Sequence, residues 1–128
     1  MSTEINQRQK QELVKLLTSI SKQCELEALG IITNEGITLA FFVQAGADPD
    51  LLSAISAAVM NTGTMVTSKM NHGPLQAMLI RGEEGFTILG TAGDHILIGA
   101  SKEIHSVGIT LNTIREFTQP LQDILTRR

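Results

Sequence analysis

The chain has 128 residues, a formal net charge of -3 at pH 7 and a single cysteine, Cys24. Residues 1–128 are predicted to form a single domain, since this length suits about one domain with a core of its own. The ten Lys and Arg residues are scattered, which argues against nucleic acid and an anionic membrane surface as partners. A lone cysteine excludes an internal disulfide and a thiolate zinc cage, so Cys24 is predicted to be a small buried side chain.

The N-terminal stretch MSTEINQRQKQE is polar and lacks the apolar core of a signal peptide. No apolar run in the sequence approaches the length of a membrane span. We therefore expect a cytoplasmic protein without membrane insertion. Trp and Tyr are absent and Phe occurs four times, so a ligand pocket built on aromatic stacking is not favoured.

The first elements are a helix and two strands. Leu13, Leu16, Leu17 and Ile20 recur at helical spacing and predict an amphipathic helix over residues 7–22. Apolar runs at 26–33 and 37–43 predict two antiparallel strands, since the glycine of the NEG segment between them can take the positive φ of a tight hairpin. The second strand holds two adjacent phenylalanines that must point to opposite faces, so at least one ring must be covered outside the main core.

A loop at 44–48 leads to a central helix that ends near Met70. Asp48 can cap its first turn, and Pro49 suits the first helical position. Three strands follow at 75–81, 86–91 and 95–100, joined by turns short enough for hairpins. The segment 106–126 has helical periodicity, and Pro120 inside it predicts a kink or a separate final turn.

The central helix carries one charged residue between Leu51 and Met70, namely Lys69. A helical wheel predicts that one apolar stripe faces the core, formed by Leu51, Leu52, Ile55, Ala58, Val59, Thr62, Val66 and Met70. The opposite side is small and uncharged, and consists of Ser53, Ala54, Ala57, Met60, Asn61, Thr64, Met65 and Ser68. This side is predicted to contact a helix of a second copy or of a partner protein. A helix sandwiched inside its own fold and a neutral surface are the alternatives.

The third strand also favours self-association. Residues 71–80 carry no formal charge, whereas an exposed sheet edge usually carries Lys, Pro or a bulge that prevents pairing. The same holds for residues 37–43, so the pattern does not select one of the two edges. The residues predicted to form the dimer or partner interface are Ala54, Ala57, Met60, Asn61, Thr64 and Met65 on the helix, and Leu75, Ala77 and Leu79 on the strand.

No pattern in the chain points to catalysis, a metal or a cofactor. The glycine-rich segment 90–94 precedes a predicted strand rather than the helix N-terminus that a phosphate-binding loop requires. There is no G-x-x-x-x-G-K-[ST] segment and no G-x-S-x-G turn. The three histidines lack metal-ligand spacing, and Asp48 and Asp50 are better explained by helix capping and the helix dipole. The chain is therefore predicted not to be an enzyme.

Three segments resemble the roadblock / dynein light chain family: ELEALGIITNEGITLA, the Ala/Ser-rich LLSAISAAVMNTG, and ILIGASKEIHSVGITLNTI. The resemblance covers about residues 13–125. It implies an α+β fold of order α-β-β-α-β-β-β-α, in which the middle helix covers one face of a five-stranded antiparallel sheet and the terminal helices cover the other. It also implies dimerisation through the third strands. Members of the family bind Ras-like small GTPases as activators, exchange factors or scaffolds, and attach cargo in dynein.

These observations predict a non-enzymatic homodimer that regulates or anchors a Ras-like small GTPase. A heterodimer with a related chain remains open. The third helix is followed only by Arg127-Arg128, without the extended tail of some GTPase-activating members, which favours a scaffold. The alternative is a small-molecule sensor of the PAS or GAF kind, which also wraps helices around an antiparallel sheet.

Overall fold

The computed structural model describes residues 5–43 and 46–126. Gln44 and Ala45 of the predicted loop and the terminal Arg127-Arg128 lie outside the described residues. The helices are α1 (Gln7–Gln23), α2 (Pro49–Lys69) and α3 (Val107–Thr126), and a short 3-10 turn, Ile104–Ser106, precedes α3. The strands are β1 (Ala28–Thr33), β2 (Thr38–Val43), β3 (Ala77–Gly82), β4 (Gly85–Ala92) and β5 (His95–Ser101). The predicted order of elements is confirmed, although β1 and β3 begin two residues later than predicted.

The five strands form one antiparallel sheet in the order β2-β1-β5-β4-β3. β2 and β3 are therefore the two edges of the sheet. Residues 37–43 and 71–80 both lack formal charge, which is why the sequence pattern did not select one of these strands as the pairing edge. Every residue of β1 is buried, because helices cover both of its faces. The pairing of β1 with β2 contains one irregularity: Ile31 pairs with Ala40 and Ile32 with Thr38, which leaves Leu39 as an extra residue in a β-bulge.

Two apolar cores lie on opposite faces of the sheet. On one face α1 and α3 pack against Leu29, Ile31, Ile88 and Leu97. On the other face α2 packs against Ile32, Leu89, Ile96 and Ile98. Successive strand residues alternate between these faces, which is why one strand serves both cores. The arrangement that the resemblance implied, with the middle helix on one face and the terminal helices on the other, is confirmed.

The helix boundaries follow from local chemistry. The Asp48 carboxylate accepts from the backbone N–H of Asp50 at 3.1 Å and of Leu51 at 3.3 Å, with Pro49 at the first helical position, so the predicted start of the central helix is confirmed. The last helix runs through Pro120 to Thr126, so the separate final turn, one of the two predicted outcomes, is wrong, while the other, a kink at Pro120, stays a prediction. Leu121 and Ile124 are buried beyond the proline, and we attribute the continuity to this packing, which offsets one lost backbone hydrogen bond.

The paired phenylalanines of β2 have different surroundings. The Phe41 ring covers Gly30 of β1 on the α2 face, where a β-carbon on Gly30 would lie 2.5 Å from Cδ2 of that ring. Phe42 points to the other face and is 51% exposed. Neither ring is among the buried residues of the α1–α3 core.

We expect Gly30→Ala to lower the free energy of unfolding by about 1–3 kcal/mol, the usual cost of overpacking, since the new methyl group overlaps the Phe41 ring. Urea unfolding measures the change. Gly108→Ala is the matched control because a β-carbon there meets nothing within 4 Å and alanine favours the helix. If both variants are as stable as the parent chain, the ring does not occupy the space above Gly30.

Candidate protein-interaction surface

The side of α2 that faces the sheet is not the one the helical wheel indicated. Its buried residues are Ser53, Ala57, Met60 and Gly63. The stripe from Leu51 to Met70 that was predicted to face the core is largely exposed, so that prediction is wrong. The reason is the close approach of the helix: the sheet supplies most of the bulk through isoleucine and leucine, and apart from Met60 the buried helix residues opposite them are small, as close packing there requires.

Two contacts show how close this approach is. A β-carbon on Gly36, in the turn between β1 and β2, would lie 3.1 Å from the Ala54 Cα atom. A β-carbon on Gly63 would lie 2.8 Å from the Met78 sulfur atom. The first contact places the N-terminal half of α2 beside the β1–β2 turn, and the second places its C-terminal half beside β3.

The predicted interface residues therefore divide into two groups. Ala57 and Met60 are each 4% exposed and belong to the core between α2 and the sheet, so their predicted outward orientation is wrong and the alternative of a helix covered by its own fold holds for them. The remaining residues are exposed or half-buried. Ala54, Asn61, Thr64 and Met65 lie on α2, Leu75 precedes β3, and Ala77 and Leu79 lie in β3.

The exposed side of α2 is strongly apolar. We call the outer face of α2 the surface formed by five large side chains that are 50–65% exposed: Leu51, Ile55, Met65, Val66 and Met70. The charged residues of the helix are Asp50 and Lys69, one near each end. A solvated helix face normally carries polar and charged side chains, and a contiguous apolar patch marks an interaction site. The wheel missed this face because both sides of the helix lack charge.

The neighbouring edge strand continues this surface. β3 pairs with β4 along one side, and no strand pairs with its other side among the described residues. Leu79 and Ile80 are 48% and 44% exposed, and they point to opposite faces of the sheet. An edge that is unpaired and apolar can accept another strand.

Hydroxyl groups fix the start of α2 to the other edge of the sheet. The Thr38 hydroxyl lies 2.9 Å from an Asp50 carboxylate oxygen and 2.7 Å from the Ser53 hydroxyl, and the Ser53 hydroxyl donates to the Pro49 carbonyl at 2.8 Å. Asp50 is thus occupied in attaching β2 to the helix. These contacts position the outer face of α2 relative to the sheet.

Potential metal ligands do not cluster in the described parts of the chain. Within 5–43 and 46–126, no group of three or more His, Cys, Asp or Glu side chains could hold a metal ion. Over the same ranges, none of the helices combines the length and the apolar character needed to cross a bilayer. In the glycine-rich segment 90–94, the first three residues end β4, and Gly93 and Asp94 form the turn into β5, which is a strand as predicted.

His95, at the start of β5, is half-buried, and this desolvation lowers its pKa from the ordinary value of 6.5, although the nearby charges of Asp94 and Glu35 oppose the shift. The unfolded chain therefore binds a proton at His95 more readily than the folded chain. We expect this residue to leave stability unaffected above about pH 6.5 and to reduce it as the pH falls below that value. Urea unfolding of His95→Gln between pH 7 and pH 5 should show a smaller loss than the parent chain; an equal loss would contradict the assignment.

The sequence over residues 10–102 matches the Roadblock/LC7 domain family, and the chain belongs to that family. The fold and the two-edged sheet agree with this membership, and the alternative of a PAS or GAF sensor domain is not supported.

Individual relatives are distant in sequence. An uncharacterized protein of Methanocaldococcus jannaschii is 19% identical over 108 residues, which cover 84% of this chain and 95% of that protein. The structure is similar to MglB of Myxococcus xanthus, with a TM-score of 0.85, 11% identity and coverage of 97% of this chain and 94% of that one. It is also similar to the gliding protein MglB of Thermus thermophilus, with a TM-score of 0.83, 16% identity and coverage of 94% and 93%.

Proposed function

We propose that the chain is a non-enzymatic, homodimeric regulator or scaffold that binds a Ras-like small GTPase in the cytoplasm. The observation that supports this most strongly is the outer face of α2, because five large apolar side chains on a helix that carries only Asp50 and Lys69 need a protein cover. Membership of the Roadblock/LC7 family supports a Ras-like GTPase as the partner, since other members of the family bind such GTPases. The domain's role is to bind and orient the GTPase, so that the nucleotide chemistry stays with the GTPase itself.

The proposed dimer is isologous, with the same patch used by both copies around a two-fold axis. The edges of two β3 strands pair antiparallel and join the two sheets, with Leu79 and Ile80 at the junction. Met65 and Val66 lie within one turn of Gly63, which sits beside Met78 of β3. Joining the β3 edges therefore brings the C-terminal halves of the two α2 helices towards each other, and covers the apolar side chains there.

The N-terminal half of the outer face remains for the GTPase. Leu51 and Ile55 are 57% and 50% exposed and lie at the end of α2 that is anchored to β2 rather than to β3. A dimer would present two such sites. An apolar anchor of this kind with a polar surround is the usual organisation of an interaction hot spot.

A binding experiment tests the GTPase assignment. The purified chain is immobilised and offered Ras-like GTPases from the source cell, each loaded with GDP or a non-hydrolysable GTP analogue. We expect one of them to be retained, and the Leu51→Asp/Ile55→Asp double variant to lose at least about tenfold in affinity, since each charge must be desolvated at the contact.

Val14→Asp is the matched control, because Val14 is 58% exposed on α1 at the opposite face of the sheet. Hydrolysis and exchange assays on the retained GTPase then distinguish an activator or exchange factor from a scaffold. The proposal fails if no Ras-like GTPase is retained in either nucleotide state, or if the double variant binds as well as the control.

A further inference from the structure

A cavity of about 310 Å³ lies between the first half of α2 and the sheet. Leu52 and Ser56 of α2 line it on the helix side, and Phe41 and Val43 of β2 line it at the edge. The sheet side is formed by Ala28, Thr87, Ile98 and Ala100. Ala47, which precedes α2, and Glu27, which precedes β1, are the remaining lining residues among those that the structure describes. The cavity lies beneath the helix, whereas the outer face of α2 points away from the sheet.

The cavity exists because one row of residues across the sheet has side chains too small to fill the space below α2. Ala28 pairs with both Val43 and Ala100, and Ala100 pairs with Thr87, so these four residues form a row across four strands. The rows beneath the middle of α2 carry Ile32, Leu89, Ile96 and Ile98, which fill the space below Ala57 and Met60. Alanines at positions 28 and 100 leave the corresponding space open beneath Leu52 and Ser56.

The lining favours a small aliphatic ligand. Among the described lining residues, seven of ten are Ala, Val, Leu, Ile or Phe, and Phe41 is the one aromatic ring among these ten. The hydroxyls of Ser56 and Thr87 make no hydrogen bond within the described parts of the chain, so they are available to one polar group of a ligand. Pockets of this kind, mainly apolar with a few polar groups, are typical of small-molecule sites.

An ionised ligand is disfavoured by the apolar lining and by a carboxylate in it, that of Glu27. A Glu27 carboxylate oxygen lies 4.0 Å from the Lys102 amino nitrogen, with the two side chains 37% and 78% exposed. Glu27 lies in the lining and Lys102 does not, so the nearest charge disfavours a carboxylate, and an ion of either sign would lose hydration on entering an apolar cavity.

We propose that this cavity is a binding site for an uncharged aliphatic molecule that carries one hydroxyl or carbonyl group. The volume is about twice that of the ~150 Å³ cavity that binds benzene in an engineered protein core, so it suits a chain of roughly six to eight carbons. None of the lining residues belongs to β3 or to the outer face of α2. Failure of the proposed dimer or of the proposed GTPase binding would therefore not exclude this site, and loss of this site would not exclude either of them.

The experiment is a titration of the full chain, labelled with ¹³C at methyl groups, with 1-hexanol as the probe. We expect saturable shifts of the methyl signals of Ala28, Ile98 and Ala100, together with a rise in Tm that grows with the logarithm of the probe concentration. Hexanoate and hexylammonium at neutral pH are the comparison probes, and each should bind about tenfold more weakly or worse.

Two variants that fill the cavity give the decisive comparison. Ser56→Leu and Ala100→Leu enlarge lining residues from the helix and from the sheet, and both should abolish the saturable shifts. Ala58→Leu is the control, because Ala58 is an exposed position two residues further along the same helix. The melting temperature of each variant without probe shows whether it is folded, and one folded filling variant is sufficient for the test.

The possible results are distinct. Saturable shifts that are lost in a folded filling variant and kept in Ala58→Leu support the site. Shifts that are kept in the filled variants show binding elsewhere and overturn the proposal. Shifts that rise linearly without saturation, or hexanoate binding as tight as that of hexanol, overturn it as well.

Discussion

The Ala57→Glu variant is expected to be unfolded, or to melt at least about 10 °C below the parent chain. Ala57 is 4% exposed between α2 and the sheet, in the cluster that contains Ile32, Leu89 and Ile96. A carboxylate there has no partner and no room, and burying an unpaired charge costs about 3 kcal/mol or more. Since a domain of this size is stable by roughly 5–15 kcal/mol, this one substitution removes a large part of the total.

Ala58→Glu is the matched control for this experiment. It makes the same chemical change one residue further along, at an exposed position, so the intrinsic helix preference is equal in the two variants. Thermal melting followed by circular dichroism measures both. If Ala57→Glu melts with the parent chain, α2 does not lie on the sheet with Ala57 inward.

Met65→Glu is expected to convert the proposed dimer to monomer at low micromolar concentration without unfolding it. Met65 is 65% exposed on the half of α2 that adjoins β3, so the isolated protomer tolerates a carboxylate there. In an isologous interface every substitution occurs twice, near the two-fold axis. Two desolvated carboxylates that also repel each other should cost at least about 2.7 kcal/mol, which corresponds to roughly 100-fold in the dissociation constant.

Sedimentation equilibrium over a range of concentrations measures this dissociation constant. Val14→Glu is the control, since it places the same charge at a comparably exposed apolar position on α1. A parent chain that sediments as a monomer throughout the range contradicts the proposed dimer. A Met65→Glu variant with the dimer mass of the control removes Met65 from the interface.

The arrangement of elements was readable from the sequence because each signal is local. Asp48-Pro49 marks the start of α2, the NEG segment marks the β1–β2 turn, and Gly36 takes a φ of 93° there as a hairpin glycine does. The order of strands across the sheet, β2-β1-β5-β4-β3, was not predicted, since strand neighbours depend on contacts between residues that are distant in sequence.

The orientation of α2 could not be read in the same way. A helical wheel assigns the bulkiest apolar stripe to the core, and that rule assumes that the other side meets water. In this protein the sheet covers one side of α2, and a partner is proposed to cover the other. The size of the apolar side chains therefore does not identify the side that faces the core. The signals that could have shown the inward side are Gly63 and the small residues around it, because a glycine inside a helix is usually kept for close packing.

For the candidate surface too, the sequence indicated the elements but not which of their side chains are buried. Lack of charge pointed to α2 and β3 as the interface elements, which stays a prediction, and exposed Met65 and Leu79 remain within the proposed interface. Ala57 and Met60 had to be removed from it because the depth of a side chain depends on what the sheet places opposite it.

The bulge at Leu39 has a consequence for the size of any assembly. A sheet with two apolar edges could in principle extend without limit, because each copy could pair one edge with the copy before it and the other edge with the copy after it. The extra residue in β2 interrupts the regular ladder, and since bulges increase the local twist of a strand, this edge should be a poor template for a further strand. Growth by edge pairing should then stop once the β3 edges have met, leaving a closed particle rather than a fibre.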